Sequence, residues 1–134
     1  MDYVVDAHSL LWHLFAPRRL GSAARVALLA GDSGTSEIYL PAVVIAEMIM
    51  VIQRGRLPGV AMPQLLTHLN FIQSRANYIL LPLLPETVIA SHTLTAIPDI
   101  FDRLVVAEAR RLGVPVLTRD ATISASGLVS VAWD

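Results

Sequence analysis

Apolar positions along the chain come in short runs that alternate with longer stretches at helical spacing. Tyr3, Val4 and Val5 form a run that ends on Asp6, the signature of a short buried strand. His8 to Phe15 then reads as a helix stopped at Pro17. Gly21 and Ser22 open a second helix through Ala30, closed by Gly31, and the polar stretch Asp32 to Ser36 predicts a turn. Glu37 to Leu40 is a brief strand. From Ala42 the chain is apolar nearly all round as far as Arg54 and Gly55, with Glu47 the only charge before Arg54, as expected of a helix buried on most sides. A linker turn at Leu57 to Met62 leads to helical spacing over Gln64 to Arg75, a strand over Asn77 to Leu81, and a helix over Pro85 to Leu94. Glu86 falls in that helix's first turn, where the helix dipole favours an acid. Pro98 to Leu112 predicts a further helix, capped by Gly113; Val116 to Thr118 is a strand running out at Arg119 and Asp120, and Leu128 to Ala132 is a last short edge strand.

Strands alternating with helices imply a parallel sheet covered on both faces, whose ligand crevice lies at the C-terminal strand ends. Asp6 and Asp120 both occupy such ends. The helix from Pro98 adds an anomaly. Phe101, Val105, Val106, Ala109 and Leu112 share one arc of its projection, with Arg103, Arg110 and Arg111 opposite, and Asp102 falls inside the apolar arc. A carboxylate facing a core must be hydrogen-bonded, paired or metal-bound. Capping, with Asp99 as N-cap and Asp102 in the first turn, explains this helix but nothing else. Glu47 in its apolar helix raises the same question. Asp6 taken alone reads better as a capping residue, and Asp120 alone as a turn residue; four carboxylates converging on one crevice would repel, and a hard divalent cation, Mg²⁺ or Mn²⁺, is their natural stabiliser.

Composition narrows the chemistry. At 134 residues and 14.5 kDa the chain is long enough for one domain, residues 1–134, with a sizeable core. With 54% hydrophobic residues and a mean hydropathy of +0.59 it carries more apolar surface than a lone domain needs, which predicts an interface. No run approaches the roughly 20 apolar residues of a membrane span, and the richest, Ile38 to Ile52, contains Pro41 and Glu47. The N-terminus lacks signal-peptide character, so a cytoplasmic location is expected. Absence of cysteine excludes disulfides, thiolate zinc sites and cysteine nucleophiles. All ten basic residues are arginine; without lysine there is no Schiff-base chemistry, no P-loop lysine, and none of the lysine expected in phospho-aspartate receivers or haloacid-dehalogenase-like phosphatases. His8, His13, His68 and His92 form no metal-binding spacing, and only His8 is placed to line the crevice. Ser9 lacks a base partner and reads as an early-helix hydroxyl. For Arg103 and Arg119, next to acids in sequence, phosphate contact, ion pairing and solvent exposure are all open.

The segments VVDAHSLLW, PAVVIAEM, PDIFDRLVVAEA and VLTRD, in that order and spacing, resemble PIN-domain ribonucleases across essentially the whole chain, and most of all the VapC-type toxins of bacterial toxin-antitoxin pairs. The resemblance implies a three-layer α/β/α fold with a central, mainly parallel sheet, and a metal-dependent endoribonuclease. It makes Asp6, Glu47, Asp102 and Asp120 the acidic ligands of Mg²⁺ or Mn²⁺, with Asp99 an auxiliary acid. It also implies a homodimer inhibited by an antitoxin peptide, for which the helices spanning Ala42 to Arg75 offer a groove. Three positions depart from the family pattern: Ala7 stands where many relatives carry a hydroxyl, Ile100 replaces the proline of the commoner DPFDR form, and no second acid closely follows Asp120. These bear on water positioning, rate and metal preference and leave the acidic core intact. The alternatives are a metal-dependent phosphatase of another α/β class, against which the missing lysine argues, and a catalytically silent binding module.

Overall fold

The computed structural model describes residues 1–134. Its strands are β1 (Tyr3–Val5), β2 (Ile38–Pro41), β3 (Tyr78–Leu81), β4 (Val116–Leu117) and β5 (Val131–Ala132). The helices are α1 (Ala7–Phe15), α2 (Ser22–Ser33), α3 (Ala42–Gln53), α4 (Met62–Gln73), α5 (Pro85–Ala90), α6 (Ile100–Leu112) and α7 (Ala121–Ala125), with 3-10 turns at Pro17–Arg19 and Ser91–Thr93. The strands form one sheet in the order β3-β2-β1-β4-β5, parallel at every pairing. The chain steps from β1 through β2 to β3, then returns to the far side of β1 for β4 and β5. Right-handed crossovers in these two directions put their helices on opposite faces of the sheet, which is the expected α/β/α layering.

Burial on both faces explains why the strands are runs rather than alternations. Val4, Val5, Ile38, Leu40, Val116 and Leu117 are all fully buried. Val4 pairs with Val116 and Val5 with Leu117, so the chain leaves β1 at Asp6 and β4 at Thr118 side by side. The reversal of strand order lies between β1 and β4, where a doubly wound sheet opens its crevice.

The Ile38 to Ile52 run is not the spare apolar surface that composition suggested. Ile38, Leu40, Val43, Val44, Met48 and Ile52 are buried, because β2 is an interior strand and α3 packs against α1, α4 and α6. The exposed large apolar side chains lie elsewhere, among them Leu80, Leu83, Leu84, Val88, Ile89 and Ile100 around edge strand β3 and α5. No helix is long and apolar enough to cross a membrane.

Several element ends differ from expectation. α2 runs through Gly31 to Ser33 and ends at Gly34, whose φ of 83° is left-handed. Gly31 serves close packing instead: a Cβ there would stand 2.5 Å from Ile38 Cγ1. The expected Pro85 to Leu94 helix breaks after Ala90 into the 3-10 turn. The short α7 and the turn at Pro17–Arg19 lack the length at which periodicity shows.

Candidate active site

Asp6, Asp99 and Asp120 each combine two positions, the end of a connection and the N-cap of a helix. Asp6 Oδ1 accepts the Ser9 amide at 2.9 Å and caps α1. Asp99 Oδ1 accepts the Phe101 amide at 2.7 Å and, more weakly, the Asp102 amide at 3.4 Å, capping α6. Asp120 Oδ1 accepts the Ile123 amide at 2.9 Å and caps α7. Each aspartate satisfies an amide that an α-helix leaves free in its first turn, so three carboxylates are held at fixed points by local chemistry. Ser9 behaves as its sequence position suggested: its buried hydroxyl donates to Leu117 O at 2.9 Å and ties α1 to β4.

Capping accounts for Asp99 but not for Asp102. The carboxylates of Asp102 on α6 and Glu47 on α3 find no cation: the protein's ion pairs are His13 with Asp32 and Arg111 with Glu108. The α3–α6 contact places both acids, with Asp6, Asp99 and Asp120, on one cleft of about 720 Å³. His8, Trp12, Met50, Val51, Phe101, Arg54, Arg56 and Arg119 complete its lining.

Electrostatics in the cleft follow from this crowding. Burial, then repulsion from Asp102, Asp6 and Asp99, pushes the Glu47 carboxyl up to about 7. Burial, then repulsion from Asp99, Asp120 and Asp6, does the same to Asp102, also to about 7. Burial raises Asp6 as well, opposed by hydrogen bonds from Thr118 and Ser9 and by the nearby His8. Carboxylates that repel one another and are ion-paired to no protein cation fit a hard divalent cation, and the all-oxygen donor set is the kind Mg²⁺ and Mn²⁺ take. As the side chains stand the arrangement is open: no three His, Asp or Glu side chains are grouped closely enough to hold an ion.

Of the other residues singled out in the sequence, His8 and Arg119 line the cleft. His13 pairs with Asp32 at 2.8 Å and lines a second cavity with His68, and His92 is exposed in the 3-10 turn after α5. Arg103 donates to the Ile97 carbonyl. Sequence reasoning missed Arg54, although the signal was present: Glu47, Met50, Val51 and Arg54 follow the i, i+3, i+4, i+7 spacing of one helix face, and all four line the cleft. It also missed Thr118, 1% exposed, whose hydroxyl accepts the Asp120 amide at 3.0 Å. Glu108, buried on α6 and paired with Arg111 at 2.6 Å, is an acid on the apolar arc with no part in the cleft.

Comparison with known proteins places this architecture. The PIN domain family model matches residues 3–126. The chain belongs to the PIN-domain family. Solved structures share the fold over most or all of their length: VapBC2 from Rickettsia felis bound to a DNA fragment from its promoter superposes with a TM-score of 0.70 at 15% identity, covering 100% of both chains. FitAcB from Neisseria gonorrhoeae gives 0.62 at 19% identity, over 98% of this chain and 96% of that one. FitAB bound to the IR36 DNA fragment gives 0.63 at 19%, over 98% and 93%. At such identities the likeness is one of fold. No curated protein matches the chain in sequence. In this PIN domain the cleft lies at the reversal of strand order, and the acids come from just beyond the C-terminal ends of β1 and β4, from α3, and from α6 and its N-cap.

Proposed function

We propose that this PIN domain, residues 1–134, is a metal-dependent endoribonuclease and the toxin of a toxin-antitoxin pair. One observation carries the reading: five carboxylates line a single cleft, and two of them, Glu47 and Asp102, are pushed up to about 7 by burial and by repulsion from neighbouring acids, with no protein cation paired to them. Asp6, Glu47 and Asp102 would be the principal holders of Mg²⁺ or Mn²⁺, with Asp120 completing the set and Asp99 orienting it by capping α6. When bound, the ion supplies activation of water for in-line attack on an RNA phosphodiester and neutralisation of charge on the phosphate. The protein's own contribution is placement. Three of the acids are pinned as helix caps, and the α3–α6 contact presents Glu47 beside Asp102. Departure of Ile100 from the family's proline leaves that cap unchanged, because Asp99 and not residue 100 supplies it.

Association with an antitoxin and homodimerisation belong to the same proposal, as does a cytoplasmic site of action. The deciding experiment incubates purified protein, free of any partner, with a mixed RNA pool and maps the ends produced. Internal cleavage with Mg²⁺ or Mn²⁺, abolished by chelator and by Asp102→Asn, is the expected result. Intact RNA under all conditions from folded protein that binds the metal would leave a silent PIN module in its place.

A further inference from the structure

Eight of the ten arginines fall into two groups. Arg25 donates to Pro17 O, Arg75 to the Asp32 carbonyl, Arg103 to Ile97 O and Arg110 to Leu128 O, while Arg111 pairs with Glu108. Arg54, Arg56 and Arg119 line the carboxylate cleft, yet none is ion-paired to any of its five acids, since the protein's two ion pairs lie elsewhere. Three exposed guanidinium groups sharing a cleft with five carboxylates would gain from pairing. The fold holds them apart in two ways. Arg54 caps the C-terminus of α3 and Arg56 lies two residues beyond it, where the helix dipole favours a cation. Arg119 adjoins Asp120 in sequence, but its guanidinium is drawn to the Trp12 ring, 5.9 Å from the centroid, within the range of a cation–π contact. Arg19 stands 4.5 Å from the same ring. Two cations against one indole repel each other, and an anion received there relieves the repulsion. A cleft with acids for a cation and separate guanidinium groups for anions suits a polyanion, and arginine grips phosphate bidentately.

We propose that Arg54, Arg56 and Arg119 seat backbone phosphates of single-stranded RNA flanking the one that is cut, with Trp12 as the positioning residue that keeps Arg119 off the acids. The inference rests on the RNA reading above. A protein that neutralises Z phosphates of a single strand loses affinity with salt at a slope of about 0.7Z in log K against log salt. Binding of a labelled single-stranded RNA, read by fluorescence anisotropy in chelator across a sodium chloride series, therefore counts the contacts. Arg54→Gln, Arg56→Gln and Arg119→Gln should each lower the slope by about 0.7, and the triple variant by about 2. Arg119→Lys should keep it. In the cleavage assay the glutamine variants should raise KM with kcat held within about twofold, the pattern of lost uniform binding. Trp12→Leu should reproduce the Arg119→Gln step and add nothing to it in the double variant, and Trp12→Phe should restore it; a merely structural tryptophan would not give that non-additivity. Should wild type cleave RNA while the triple variant keeps its slope and KM, the phosphate seats are wrong and the nuclease reading stands. Arginine-dependent binding without cleavage keeps the seats and removes the nuclease. Neither binding nor cleavage by folded wild type overturns both.

Discussion

Asp102 and Glu47 are where one side chain decides most. Their carboxyls are raised to about 7 from ordinary values of 3.8 and 4.5, so between these limits the folded chain holds protons that the unfolded chain has released. Stability depends on pH through that difference in bound protons. A folded state that binds more of them loses stability as pH rises. The metal-free protein should accordingly be most stable below about pH 4 as far as these two groups are concerned, and lose that stability progressively towards about pH 7. Thermal melts in chelator at pH 5 and pH 8 should show the lower Tm at pH 8, and Asp102→Asn should narrow the gap by removing one of the repelling charges. A wild-type Tm that rises from pH 5 to pH 8 would contradict the crowding. The same substitution, or Glu47→Gln or Asp6→Asn, should reduce RNA cleavage on the order of 100-fold or more while the fold survives, because removing an interaction of several kcal/mol with the transition state costs tenfold per 1.4 kcal/mol. Full activity in any one variant would remove that residue from the site.

At the scale of the element, α6 shows a cap and a candidate ligand serving different ends within one turn. Asp99 satisfies two first-turn amides, and Asp102, one turn on, faces the cleft. Asp99→Ala should cost about 1 kcal/mol of stability, the usual price of an N-cap. Asp99→Ser should recover most of it. If the role of Asp99 in the reaction is to hold the α6 N-terminus, Asp99→Ser should also recover cleavage; recovery of Tm without recovery of activity would show that its charge is needed directly. On α2, Gly31→Ala brings a methyl to 2.5 Å from Ile38 Cγ1, and overpacking of this kind costs roughly 1–3 kcal/mol. A Gly31→Ala protein as stable as wild type would mean that α2 can shift on the sheet.

For the whole molecule, the proposed ion binding and association would be linked to folding. An ion that binds only the native state stabilises it by about 2.7 kcal/mol at a hundredfold excess over Kd. Millimolar Mn²⁺ should therefore raise the Tm of wild type and not that of Asp102→Asn; equal shifts in both would point to non-specific binding. The exposed set Leu80, Leu83, Leu84, Val88, Ile89 and Ile100 shifts the expected interface from the Ile38 to Ile52 run to the neighbourhood of β3 and α5. Light scattering over a concentration series should find a dimer, and Ile89→Asp, at a side chain 67% exposed, should weaken it without unfolding the protomer. Wild type that stays monomeric at tens of micromolar would end the dimer proposal.

Much of this was legible in the linear chain because it depends on local periodicity. The apolar runs marked β1, β2, β3 and β4, the buried character of α3 followed from its nearly uninterrupted apolar pattern, and Asp102 stood out because a carboxylate on an apolar arc must have a partner. The roles of Asp6 and Asp99 as N-caps were also within reach, since a cap is set by residues three or four positions apart, whereas Asp120 read as a turn residue because the five-residue α7 that it caps is too short to show a period. What the chain alone left open was which strands are neighbours. Only the pairing of β1 with β4 brings Asp6 beside Thr118 and Asp120, and only the packing of α3 on α6 brings Glu47 to Asp102. The same packing sent the Ile38 to Ile52 run inward and turned an apparent surface surplus into core. Arg56 and Trp12 stayed hidden for a related reason: an arginine or tryptophan is compatible with many surfaces, and its meaning depends on charges and rings brought close by long-range contacts. Local pattern determines which segments must be buried and which acids need partners; tertiary contact decides what those partners are, because burial and repulsion depend on distance in space and not along the chain.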